Sequence, residues 1–120
     1  KEELATVNAD MEKTVWVLVN LLSNSLRYSA ENESILVKAE QKGDRIIFSV
    51  QDFGIGIAPK YQEKIFEKYF RIPGSKKEGT GLGLAISKEF IEAQNGTISL
   101  ESTQGKGSTF FFALEKSGSA

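Results

Sequence analysis

The run from Asp10 to Tyr28 constrains the fold most. Val15, Leu18, Val19, Leu22 and Leu26 recur at spacings of three and four, which predicts a long helix with one apolar face. Asn8 or Asp10 can cap its start. A helix of that length needs a partner layer, and the rest of the chain supplies strands. Ile35 to Gln41 and Arg45 to Gln51 are β-rich and flank Lys42-Gly43-Asp44, a hairpin signal. Thr97 to Ser102 and Ser108 to Leu114 form a second pair around TQGKG, with Phe110 and Phe112 on one face. Glu3 to Val7 fits a short edge strand. Pro59 opens a short helix running to about Tyr69. Leu82 to Gln94 is helical and Asn95-Gly96 ends it. The expected fold class is α+β: a two-layer α/β sandwich, its mixed and mostly antiparallel sheet carrying helices on one face.

Composition narrows the function. With 120 residues, 40% hydrophobic and 26% charged, the chain is one globular domain, expected over 1–116 with a disordered tail at 117–120. A net charge of −1 gives no bulk attraction to nucleic acid or an anionic membrane. The absence of cysteine rules out disulfides and Cys-ligated metal, and fits a reducing compartment. No apolar run approaches the roughly 20 residues of a membrane span, so direct membrane contact is not expected. The chain starts at Lys1, which reads as a fragment of a longer protein, and it contains no histidine.

Three stretches carry polar or glycine patterns that packing alone does not ask for. In EGTGLGL, Gly79, Gly81 and Gly83 alternate just before a helix. There is no Gly-Lys-Ser/Thr ending for a P-loop, and a lysine-rich loop, Arg71 to Gly79, precedes the turn where a dinucleotide fold has a strand. A hinge and an anion site at the helix N-terminus stay equally open. In QDFGIGI, Asp52 ends a strand ahead of Gly54 and Gly56. It is either a turn residue bonding nearby backbone or a carboxylate that accepts from an exocyclic amine such as adenine's, with Ile57 covering a ring face. On the long helix, Asn20 and Asn24 share a face, with Arg27 and Tyr28 a turn beyond. They are either amides satisfied by neighbours or oxygen donors for a hard cation such as magnesium.

In this order, the NxxxN helix, DxGxGI, the FxxxFR segment (Phe66, Phe70, Arg71) and GTGLGL resemble the ATP-binding catalytic domain of bacterial sensor histidine kinases, the Bergerat-type fold shared with DNA gyrase. The resemblance runs from about Asp10 to Leu114. It implies ATP and Mg2+ as ligands, with Asn20 and Asn24 on the magnesium positions. Arg27 and Tyr28 fall beside phosphate and adenine, and Asp52 reads the adenine amine between Gly54, Gly56 and Ile57. Arg71 reaches the terminal phosphate. Arg71 to Glu78 becomes a lid hinged by Gly79, Gly81 and Gly83, which bring backbone N–H groups to the phosphates; Thr80 and Leu82 belong to the same nucleotide-binding turn, with Leu84 along the base and Thr109 near adenine. Three departures stand out. Tyr69-Phe70 inverts the usual aromatic order, a swap expected to preserve packing. Trp16 replaces a common polar residue, which points to a more buried face or an interface. The strand and helix that usually precede this region are expected to be missing, with Lys1 beginning inside the domain.

Hydrolytic relatives place a glutamate where this chain has Asn20, an amide that is no general base. The resemblance therefore implies a kinase that transfers the γ-phosphate, with Arg27 and Arg71 as its catalytic cations. Its acceptor histidine must lie on a separate dimerisation domain of the parent kinase, a response regulator being an indirect partner. The isolated chain is expected to be a cytoplasmic monomer, while the parent can be an inner-membrane sensor. The alternatives are a serine kinase of the anti-sigma type and a non-catalytic nucleotide- or partner-binding module.

Overall fold

The computed structural model describes residues 11–28, 33–72 and 82–115, without the side chains of residues 11, 27 and 28. The expected strand at Glu3–Val7, the tail at 117–120 and most of the loop from Arg71 to Glu78 lie outside them.

Helix α1 (Met11–Tyr28) is followed by strands β1 (Leu36–Lys42) and β2 (Arg45–Asp52). Two short 3-10 turns, Pro59–Tyr61 and Lys64–Phe66, lead on toward helix α2 (Gly83–Glu92) and strands β3 (Thr97–Thr103) and β4 (Gly107–Glu115). The four described strands form one antiparallel sheet in the order β1-β2-β4-β3. Each local hairpin thus supplies one edge and one central strand. At the centre, Phe48 pairs with Phe112, Val50 with Phe110 and Asp52 with Ser108. Directly paired residues share a face, so these side chains all point to the helix side.

That face carries the core. Val17 and Leu21 of α1, Val50, Ile65, Ile91 of α2, Phe110, Phe112 and Leu114 form one buried cluster. Phe48 stacks on Phe112 with ring centroids 4.9 Å apart. The α+β sandwich expected from the sequence is therefore present, with α1 and α2 on one face of the sheet.

The buried face of α1 differs from the expected one. Thr14, Val17, Leu21 and Ser25 are buried and Leu18 and Leu22 are half-buried, but Val15, Val19 and Leu26 are 48%, 55% and 68% exposed. The segment VWVLVNLL is apolar almost all round, so periodicity identifies a helix without fixing which side packs. Trp16 is partly exposed and sets its ring edge-on to Phe90 of α2 at 5.3 Å, with the Lys13 ammonium over the same Phe90 ring.

The single helix expected from Pro59 to Tyr69 is two separate turns. Gln62 stands between them, and its side-chain amide donates to the carbonyls of Ile57 and Ser102, outside the segment. The segment closes on Tyr69, whose φ of 65° is left-handed. The inverted aromatic pair preserves packing only at Phe70, which contacts Tyr61 and the core, whereas Tyr69 is 71% exposed. Helix α2 ends as expected: Asn95 is left-handed at φ 64°, and the Gly96 amide reaches back to the Ile91 carbonyl at 2.9 Å. No helix among the described residues is long and apolar enough to cross a membrane.

Candidate functional site

Asp52 ends β2 on the helix side and is 3% exposed. Its Oδ1 accepts from the Gly54 amide at 3.0 Å and from the Ser108 amide of β4 at 3.3 Å. The first bond is the turn contact expected of an Asx residue. The second ties the turn to the adjacent strand, so one oxygen is fully used in holding the loop. Among the described residues Oδ2 makes no hydrogen bond. A buried carboxylate fixed by one oxygen presents the other as an oriented acceptor for a donor such as an amine.

The loop after Asp52 is clamped onto the end of β3. The Ile57 amide donates to Ser102 Oγ at 2.8 Å, and the Ile57 carbonyl accepts from Gln62 Nε2 at 2.8 Å. Ser102 Oγ also contacts the Gly107 carbonyl at 3.0 Å and Ser108 Oγ at 2.9 Å. A β-carbon on Gly56, at φ +73°, would sit 2.3 Å from the Thr103 carbonyl oxygen. The missing side chain thus makes room for β3 backbone, a structural reason for this glycine beside the one the sequence offers. Ile57 is half-buried and packs against the core, as does Leu84 at the start of α2.

The asparagine helix meets α2 at Gly83. Asn20 Nδ2 donates to Ser87 Oγ at 3.2 Å, and Ser87 Oγ donates to the Gly83 carbonyl at 2.8 Å. A β-carbon on Gly83 would lie 2.5 Å from Asn20 Oδ1 and 3.0 Å from Nδ2, so the amide lies against the helix start, where any side chain would have to displace it. Among the described residues no cluster of three or more His, Cys, Asp or Glu side chains could hold a metal ion. The donors on offer to a cation are neutral amide oxygens, a set that fits a hard ion keeping water and anionic ligand oxygens for its other positions.

The remaining expected site residues divide. Arg71 is exposed, and Leu82, which precedes α2, accepts the Ile86 amide at 2.9 Å. Asn24 is half-buried on α1. The side chains of Arg27 and Tyr28 lie outside the described residues, as do Gly79, Thr80 and Gly81. Thr109 lies on β4. It pairs with Gln51 and with Glu101, on the sheet face opposite Asp52, because a strand turns successive side chains to opposite sides. It nevertheless lines, together with Asp52, Ser108, Gln51, Glu101 and Lys106, one cavity of about 480 Å³ at this end of the sheet. The hydroxyl on Asp52's face belongs to Ser108. Sequence reasoning also passed over Ser87, Ser102 and Gln62. The spacing of Gly83 and Ser87, one helical turn, and the alternation of Ser102 with Leu100 were the available signals.

The family described as "Histidine kinase-, DNA gyrase B-, and HSP90-like ATPase" matches residues 9–118. The chain is 40% identical over 105 residues to the circadian input-output histidine kinase CikA of Synechococcus elongatus, covering 85% of this chain and 14% of that protein. It is 39% identical over 113 residues to the sensor histidine kinase WalK of Bacillus subtilis, covering 90% of this chain and 18% of that protein. The chain thus spans less than a fifth of these two relatives' length. Among solved structures, the catalytic domain of histidine kinase ThkA superposes with a TM-score of 0.80 at 34% identity, over 92% of this chain and 70% of that one. Full-length ShkA in complex with AMPPNP gives 0.84 at 31% identity, over 98% of this chain and 24% of that one.

Proposed function

Because the chain belongs to the family of histidine kinase-, DNA gyrase B- and HSP90-like ATPases, we propose that it binds Mg-ATP and donates the γ-phosphate to a histidine on a separate dimerisation domain. The observation that carries this reading is Asp52: buried, held through Oδ1 by two backbone amides, with Oδ2 left to accept from a ligand amine. Two kinds of likeness support it. Its relatives include proteins named as histidine kinases, and ShkA was crystallised in complex with AMPPNP, an ATP analogue.

In this reading Asp52 orients adenine, Ile57 and Leu84 pack beside the base, and Asn20 and Asn24 offer amide oxygens to the metal. The chemistry a bound magnesium ion supplies is charge neutralisation at the phosphate oxygens. Arg71 serves the terminal phosphate. The acceptor imidazole nitrogen forms the new bond to the γ-phosphorus as the bond to the β-bridging oxygen breaks, and ADP leaves. Asn20 cannot take a proton from water, which favours transfer over hydrolysis. With no histidine in the chain, the acceptor comes from elsewhere in the parent protein, and a response regulator would follow it.

Calorimetric titration with ATP, with and without magnesium, tests the binding half of the proposal. Saturable binding that tightens with magnesium is expected, and no binding under either condition would overturn it. Arg71→Ala tests the transfer half. ATP affinity should stay within about twofold while transfer to an added histidine domain slows by about 100-fold or more, the scale of one lost electrostatic contact in the transition state. An equal loss of ADP affinity would instead make Arg71 a packing residue.

A further inference from the structure

Ser87 is fully buried, yet its hydroxyl is not idle. It donates its one proton to the Gly83 carbonyl, one turn back along α2, at 2.8 Å. A hydroxyl whose proton is committed can offer only lone pairs to a further partner. That partner is Asn20, which must therefore turn its Nδ2 toward Ser87, at 3.2 Å. The direction of this two-bond chain decides which end of the Asn20 amide goes where.

The other end is the chemically distinctive one. With Nδ2 on Ser87, Oδ1 lies over Gly83 at the first residue of α2, where a β-carbon would come within 2.5 Å of it. A reversed amide would instead present an NH2 group there, a donor that repels a cation. Ser87, Gly83 and Asn20 thus fix an oxygen, and not a nitrogen, at the junction between the two helices.

We infer that Ser87 is a positioning residue for Asn20, setting the amide orientation that presents Oδ1 to a divalent cation. This rests on the reading of Asn20 as a magnesium ligand. Ser87 touches neither metal nor nucleotide in this scheme. It acts on the metal's ligand.

The test measures the affinity of the chain for ADP by calorimetry with magnesium and with EDTA, taking the ratio of the two as the magnesium dependence. Ser87→Ala should reduce that ratio by about fivefold, the worth of one hydrogen bond, while affinity in EDTA holds. Ser87→Cys, of similar size and a weaker acceptor, should move the same way, and thermal melting checks that both variants fold. In an Asn20→Ala background Ser87→Ala should change nothing further. If Asn20→Ala collapses the ratio but neither Ser87 variant alters it, the positioning role is overturned and the metal reading stands. If Asn20→Ala leaves the ratio intact, the metal reading fails and this inference with it. An equal loss of affinity with and without magnesium makes Ser87 a packing residue only.

Discussion

Replacing Asp52 by asparagine should weaken ATP binding by roughly 10- to 150-fold, the worth of one hydrogen bond to a charged group, with the melting temperature held within about 4 °C. The substitution keeps an oxygen at the Oδ1 position, so the bonds from the Gly54 and Ser108 amides can persist. It changes the other position from an acceptor into an NH2 donor. In the proposed site that donor would face the donor amine of adenine, and two donors do not bond. Calorimetry and a thermal melt on the same sample separate the outcomes. Unchanged affinity would remove Asp52 from adenine recognition. A large fall in melting temperature would show that its work is the clamp between β2 and β4.

Gly56→Ala acts on the fold and reaches the site through it. Two costs coincide: alanine at φ +73° is strained by about 1–2 kcal/mol, and its β-carbon would lie 2.3 Å from the Thr103 carbonyl. That neighbour is backbone of β3, already paired with β4, and cannot swing aside as a flexible side chain could. A loss of at least about 2 kcal/mol is expected, lowering the melting temperature by about 8 °C or more. ATP affinity should fall as well, because the loop that places Ile57 hangs from the same contact. A melting temperature unchanged to within about 2 °C would mean that the loop can lift from β3 at little cost, contrary to the Ile57–Ser102 and Gln62–Ser102 bonds.

The sequence made much of this legible where a pattern had one solution. The strand alternation put Phe110 and Phe112 on one face, and both are buried there. Gly43 and Asn95 take the left-handed conformations that the hairpin turn and the end of α2 require. Legibility failed where several solutions shared one pattern. The α1 helix is apolar on nearly every side, so only its partners could select Val17 and Leu21 over Val15 and Val19. Ser108 and Thr109 are adjacent hydroxyls on one strand, and which of them joins Asp52 depends on a register that spans the sheet. Ser87 looked like any helical serine. Its meaning comes from Asn20, 67 residues away, which spacing along the chain cannot reveal.

The topology described above has a kinetic consequence. Each hairpin, β1 with β2 and β3 with β4, closes through contacts between near neighbours, whereas the β2–β4 pairing joins Arg45 to Glu115 and must wait for a long loop to close. The polar links of the candidate site fall across that same seam: Asn20 with Ser87, Asp52 with Ser108, Ile57 with Ser102. Neither half of the chain contains a complete pocket. On the proposed reading, nucleotide recognition would therefore be acquired at the non-local step of folding, so nucleotide would select chains in which both halves have docked and withdraw nothing from partly folded ones.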